Sequence, residues 1–396
     1  MASPRKSSRY WLVAALPILV VICALVAVRI VNSMDYHHND NDFFTFWLAG
    51  HLAAQGGSPY DTAQWMAGYR QFEMDVIPNP AFLYPLPLAL LFAPLGLLPF
   101  HSAYVVWVTL LQLMIVASLA ILLSLQANPR AKLFFIPLLA GIVLFRPTTL
   151  TLTQGQVSGL FLFVLVGVAF LWQRGKWGWG GILLGLLALK PNLGLIVIVL
   201  AALWLLLRKR WRGLLGIAVT GTVLLAAGLL YDPRWPLEYW QVGSHKLAQT
   251  FGGSPTVWGL GALTCRLDSP CTLALGGIAA LLLILGFLWL IVRRADLSPV
   301  AVIGLAATVT LLVAPYTWTY DQLLLIIPII AITLAVDGPG RRFLLAAGIF
   351  MIVDIEIVFV LFFDTLLGVE IFNAFIPLIV LGLLVGFALP PQPPGD

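Results

Sequence analysis

The sequence predicts an all-α, polytopic membrane protein with about twelve transmembrane helices. Two observations carry this. The chain of 396 residues is 61% hydrophobic and only 10% charged, whereas soluble domains carry about 25% charged residues. Its positive charges also gather in short clusters between apolar runs, as topology signals do in helical membrane proteins. That distribution accounts for the basic pI of ≈ 9.2 without a nucleic-acid partner.

The elements follow in order. Arg5, Lys6 and Arg9 precede an unbroken apolar stretch from Trp11 to Val28. It is long enough to span and lacks a clear A-x-A cleavage site, so it reads as an uncleaved signal anchor. A first span at residues 10–31 is expected to be followed by spans near 102–126, 133–146, 157–172, 178–189, 193–207, 213–231, 273–292, 298–313, 322–336, 342–363 and 371–389. Those at 133–146 and 178–189 are short for a hydrocarbon core of about 30 Å, which takes about 20 helical residues. With the N-terminus inside, the clusters around Arg5, Arg130, Arg174, Arg208–Arg212, Arg293 and Arg341 put 15 of the 22 basic residues on the inner side, as the positive-inside rule asks. Residues 84–98, YPLPLALLFAPLGLL, are apolar but short and proline-rich. A crossing there would reverse the later basic loops, so this segment is expected to lie along the outer face.

The expected result is a single membrane domain over residues 1–389 of the plasma (inner) membrane, with both termini cytoplasmic. Its extracytoplasmic parts are 32–101, with interfacial helices, and 232–272. The Pro-rich end, 390–396, is expected to be disordered. Cys265 and Cys271 share the second outer region and can form a disulfide in an oxidising compartment. Cys23 falls inside the first span and reads as packing.

The chain is organised around Asp42–Asp61, DFFTFWLAGHLAAQGGSPYD. A carboxylate at a membrane exit opens a short aromatic helix, which stops at Gly56-Gly57-Ser58-Pro59. Aromatics beside a carboxylate suit the water–lipid boundary. Together with FLYPLPL at Phe82–Leu88 and with Gln154-Gly155-Gln156, this stretch resembles glycosyltransferase family 87. Members are GT-C type membrane enzymes that use polyprenyl-phosphate sugars. The resemblance runs over roughly residues 10–340. It implies a hexosyltransferase, with mannose the first choice of sugar, a lipid-linked or cell-envelope glycan acceptor, and no metal cofactor.

Such a transfer needs a base for the acceptor hydroxyl, donors for the departing phosphate and a site between water and lipid. Asp42 matches the family's acidic residue and is the expected base; as a residue alone it is also a good helix cap. Lys190, before Pro191-Asn192, breaks an apolar run and can offer a cation and loosened backbone to an anionic headgroup. Arg146, Gln154 and Gln156 are expected on one outer loop, with Gly155-Gln156 matching the family's Gly-Gln element. Trp318, Tyr320 and Asp321 lie in a segment like the family's Pro-x-x-Trp, although Tyr320-Asp321 stands where many relatives carry histidine. Tyr84 and His51, inside the motifs, complete the substrate-binding candidates. Asp40-Asn41-Asp42 with His37 and His38 is a competing metal site. Asp354 and Glu356, two apart, face different sides of an expected span. The rival class is a transporter or lipid flippase, which also uses intramembrane charges and broken helices.

Overall fold

The computed structural model describes residues 5–34, 41–77, 81–126, 129–250, 252–336, 338, 340–342, 348 and 370–388. Among these residues the chain is helical, with no strand. The expected span at 342–363, with Asp354 and Glu356, and the tail at 390–396 lie outside this description, apart from the isolated backbone positions at 342 and 348.

Helix α1, Arg5–Ser33, carries Pro17, and three short helices come after it in the chain: α2, Asp42–Ala54; α3, Thr62–Gln71; and α4, Leu86–Gly96. Helix α4 has 11 residues, so at 1.5 Å per residue it is about 16 Å long and cannot cross alone. It lies instead against α2 at backbone contact. A Cβ at Gly50 would stand 2.5 Å from the Phe92 carbonyl group, and one at Gly96 only 2.3 Å from the His51 nitrogen. Phe46 stacks on Phe92 with ring centroids 5.2 Å apart, and Phe43 on Tyr104 at 4.6 Å. The expected interfacial aromatics are therefore interior packing: Phe43, Phe44, Phe46 and Trp47 are all buried.

The remaining helices form the bundle. They are α5, Phe100–Ser124; α6, Phe135–Leu144; α7, Arg146–Thr153; α8, Ser158–Gln173; α9, Trp177–Gly185; α10, Pro191–Leu207; and α11, Trp211–Tyr231. Then come α12, Trp235–Thr250; α13, Val257–Thr264; α14, Ser269–Arg293; α15, Pro299–Val313; α16, Ile326–Ala335; and α17, Phe375–Leu383. Five stretches are long and apolar enough to cross a membrane: Leu16–Ser33, Phe100–Ser124, Trp211–Tyr231, Ser269–Arg293 and Glu370–Phe387. A sixth is Ala131–Leu144 with Arg146–Thr153, bent by 64°. Among the described residues, the expected spans at 157–172, 178–189, 193–207, 298–313 and 322–336 are shorter apolar helices of 10–17 residues, so helix length there does not confirm the count of twelve. The chain shortens them by breaking: a 3-10 turn at Leu186–Leu189 and Pro191 separate α9 from α10, and another 3-10 turn, Thr319–Leu325, precedes α16.

Helix α10 sets the axis. Its C-cap, Arg208, donates from Nη2 to the carbonyl oxygens of Ile291 (3.2 Å) and Arg294 (2.8 Å), and Arg210 lies 4.4 Å over the Trp177 ring. The basic clusters around residues 176, 208 and 294 thus meet at one end. Lys190 caps the other end, across 17 residues or about 25 Å.

Candidate active site

The site is built where the breaks fall, at the Lys190 end of α10. The cap of α2 is Asn41, whose side-chain oxygen accepts from the Phe44 nitrogen at 3.0 Å. Capping therefore does not account for Asp42, which occupies the first turn of the helix, where a negative side chain suits the helix dipole. The other end of that turn is held by the Gln-Gly-Gln element: the Phe43 nitrogen donates to the Gln154 carbonyl at 2.9 Å. Gly155 makes this approach possible. It has φ +62°, and a Cβ there would sit 2.5 Å from Phe43 Cβ. Trp107 Nε1 donates to the Gly155 carbonyl at 2.7 Å, and Asn41 Nδ2 donates to the Tyr104 hydroxyl at 3.1 Å. Two motifs far apart in sequence are thereby one unit. Gln154 contributes its backbone to it.

Asp42 acts electrostatically on three tyrosines, Tyr84, Tyr104 and Tyr320. Burial holds the Tyr84 hydroxyl well above the usual tyrosine range, and the fields of Asp42, Tyr316 and Asp321 push it further; the neighbouring Gln156 amide works the other way. Tyr84 is therefore a proton-bearing donor at neutral pH. Gln156 is wholly buried, and neither of its amide atoms has a hydrogen bond of good geometry. Thr148 Oγ1 on α7 and Gln322 Oε1 are buried without partners as well. Unsatisfied buried polar groups cost about 1–3 kcal/mol each, and a polar ligand is one way such a group is satisfied.

The floor of the site is an ion pair. Lys190 Nζ stands 2.6 Å from Asp321 Oδ1, with side chains 2% and 0% exposed. Ser158 Oγ donates to the same oxygen at 2.8 Å, and the Trp318 nitrogen to Oδ2 at 3.2 Å. Lys190 also lies 4.9 Å from the Tyr320 ring centroid. The expectation of Lys190 facing an anionic headgroup changes: its charge is committed to Asp321, and the pair fixes Trp318 and Tyr320. Asn192 Nδ2 to the Tyr316 carbonyl, 3.1 Å, and Thr151 Oγ1 to the Tyr320 carbonyl, 3.3 Å, clamp the same segment.

Arg146 is not in a loop but opens α7 after the 64° bend, and it lies within electrostatic reach of Glu370. Glu370 accepts from the Thr319 nitrogen at 3.0 Å. Gln322 Nε2 donates to the Asn373 carbonyl at 2.8 Å, and Asn373 donates to Thr319 Oγ1. Sequence reasoning missed Glu370 and Asn373; their one signal was two polar residues at the start of the last apolar run. His51 is not brought to the site. It lies nine residues after Asp42 on one helix, about 13 Å away along the axis. There it stacks on Trp47 and bonds the Gly96 carbonyl (2.8 Å) and Gln55 (2.9 Å). Asp40, His37 and His38 of the competing metal site lie outside the described residues, among which no group of three or more metal-ligating side chains is gathered. Cys265 and Cys271 are joined in a disulfide, and Cys23 is free and buried.

Fold and site together define a helical membrane protein in which a carboxylate, tyrosine hydroxyls and the buried Gln156 amide are neighbours. The chain belongs to glycosyltransferase family 87, whose profile matches residues 82–315, and this makes it a membrane glycosyltransferase. The match contains Tyr84, Arg146, Gln154, Gln156 and Lys190, and it leaves out Asp42 and Trp318–Asp321. No curated protein and no solved structure matches the chain.

Proposed function

We propose that the protein moves a hexose, with mannose the first choice, from a polyprenyl-phosphate sugar to a lipid-linked or cell-envelope glycan on the extracytoplasmic face. Asp42 removes the proton from the acceptor hydroxyl. The freed oxygen bonds to the anomeric carbon while the bond from that carbon to the donor phosphate breaks, through an oxocarbenium-like transition state. The electron pair leaves with the polyprenyl phosphate. Tyr84 and Gln156 donate hydrogen bonds to sugar or phosphate oxygens, and Arg146 balances the phosphate charge. Lys190 acts as a positioning residue by holding Asp321, and with it Trp318 and Tyr320. Asp321 is a poor base, since it is fully buried and already accepts from three donors. A metal ion is not needed, because a phosphate is already a good leaving group.

The observation that carries this reading is Asp42 in the field of Tyr84, with the buried Gln156 amide beside it. The side of the membrane is supported by the basic clusters at the opposite end of α10, and by the disulfide, which suits an oxidising compartment. The test is transfer of radiolabel from polyprenyl-phosphate mannose, in detergent and with chelator present. An enzyme of this kind moves label onto an acceptor; label that stays on the donor contradicts the proposal and returns the transporter reading.

A further inference from the structure

A cavity opens beside the site. Its volume is ≈ 730 Å³, within the range of about 300–1,000 Å³ usual for ligand clefts. One wall is the turn after α2 and the start of α3; the other is the end of α11 and the start of α12. Tyr231 ties the walls together, its hydroxyl lying 2.8 Å from the carbonyl oxygens of both Ala53 and Gly57. Tyr60 ties the cleft to the active site, donating to the Tyr84 carbonyl at 2.6 Å. Tyr239, next to Glu238 on α12, acts electrostatically on Tyr60 and also on Tyr316, itself a neighbour of Asp321. The cleft and the Asp42 site thus share a wall.

The lining selects its ligand. The lining holds three carboxylates, Asp61, Asp232 and Glu238, and one cation, Arg234, which lies 3.8 Å from Asp232 and 4.0 Å from Glu238, a balance that repels phosphate. Among the described residues no three side chains are arranged to hold a metal, so a divalent cation does not fit either. The lining hydroxyls and amide of Ser58, Thr62 and Gln241 are neutral, which suits hydrogen bonding to a neutral partner. Asp61 and Gln64 are engaged with each other and with the α3 cap, leaving Asp232 and Glu238 to accept from hydroxyls and the Gln241 amide to donate and accept.

We propose that this cleft binds the non-reacting sugars of a neutral glycan acceptor and so delivers its end to Asp42; the word acceptor rests on the transfer reading given above. The experiment is saturation-transfer NMR on the full-length purified protein, with α-linked mannotriose as probe and inorganic phosphate as control. Mannotriose should receive saturation. The signal should fall at least tenfold in Gln241→Trp, a substitution at an exposed position that plugs the cleft, and in Glu238→Gln, and it should persist in Asp42→Asn. No signal in the wild type, a signal that survives both cleft variants, or phosphate binding in its place overturns the proposal. A parallel transfer assay with the octyl glycoside of α-linked mannotriose, whose inner sugars can occupy the cleft, separates the two readings. Cleft-dependent sugar binding without any transfer leaves the cleft standing and removes the enzymatic reading. Transfer whose KM for that trisaccharide glycoside is unchanged in the cleft variants removes the cleft and keeps the enzyme.

Discussion

Two ion pairs sit at opposite ends of the α10 axis and differ in nearly everything but charge. Lys190–Asp321 is 2.6 Å long and 2% and 0% exposed, and its partners come from segments 131 residues apart. Arg294–Asp296 is 3.0 Å long, 11% and 47% exposed, and joins residues two apart on one turn. The first stands where helices break and backbone is loosened; the second follows the end of an unbroken helix. Removing charges from water costs several kcal/mol per ion unless they are paired and further hydrogen-bonded, and Asp321 receives that further bonding from Ser158 and Trp318. In Arg294–Asp296 the carboxylate stays exposed and so avoids most of that cost. The comparison teaches that the site end is held together by a fully buried ion pair, while at the basic end the ion pair is partly exposed and Arg208 bonds to backbone carbonyls.

The largest expected effect comes from breaking the buried pair. Lys190→Ala or Asp321→Ala alone leaves an uncompensated buried charge and should cost about 3–5 kcal/mol, read as a lower melting temperature in detergent. Lys190→Met with Asp321→Leu should recover much of that stability while leaving transfer impaired, because Trp318 loses its tether. A double variant no more stable than the singles would mean that the pair is not the unit described. Next, Gly155→Ala places a side chain at positive φ and against Phe43, at a cost of about 1–3 kcal/mol. Asn41→Ala removes the α2 cap and should cost about 0.5–2 kcal/mol. If either variant melts like the wild type, the coupling of the two motifs is weaker than the geometry implies.

The smallest effect belongs to the other end. The hydrogen bond from Arg294 holds the Asp296 carboxyl below its ordinary range. A carboxylate lowered in this way contributes stability above its unfolded pKa and loses it as pH falls through the lowered folded value. The carboxylate is exposed and screened, so that contribution is small: Asp296→Asn should lower melting only slightly at neutral pH, with the difference from the wild type disappearing in acid. A clear loss at neutral pH would erase the contrast between the two ends.

What was legible in the chain was local. Apolar runs located the helices, and the Gly-Gly-Ser-Pro stop ended α2 close to where the structure ends it. Lys190-Pro191 marked a break, and α4 was recognisable as too short to cross. Pairing was not legible. Nothing near Lys190 names Asp321 as its partner, because a bundle brings together segments whose order in sequence carries no distance. Asn41 and Asp42 are both good caps by type, and only backbone geometry separates the capping residue from its neighbour. Glu370 and Asn373 were hidden at the head of an apolar run, where polar residues read as a boundary. His51 sits in the most informative motif and still turns away, since nine residues on a helix carry a side chain a long way along the axis.

The central claim is that Asp42 takes the acceptor proton. The most direct measurement is label transfer from polyprenyl-phosphate mannose by purified Asp42→Asn, beside its melting curve and its donor affinity. The account predicts a rate lower by about 10²–10⁴-fold, the usual contribution of a positioned base, with folding and donor binding kept, since Asn41 supplies the cap. Near-normal turnover in a well-folded Asp42→Asn preparation would contradict it.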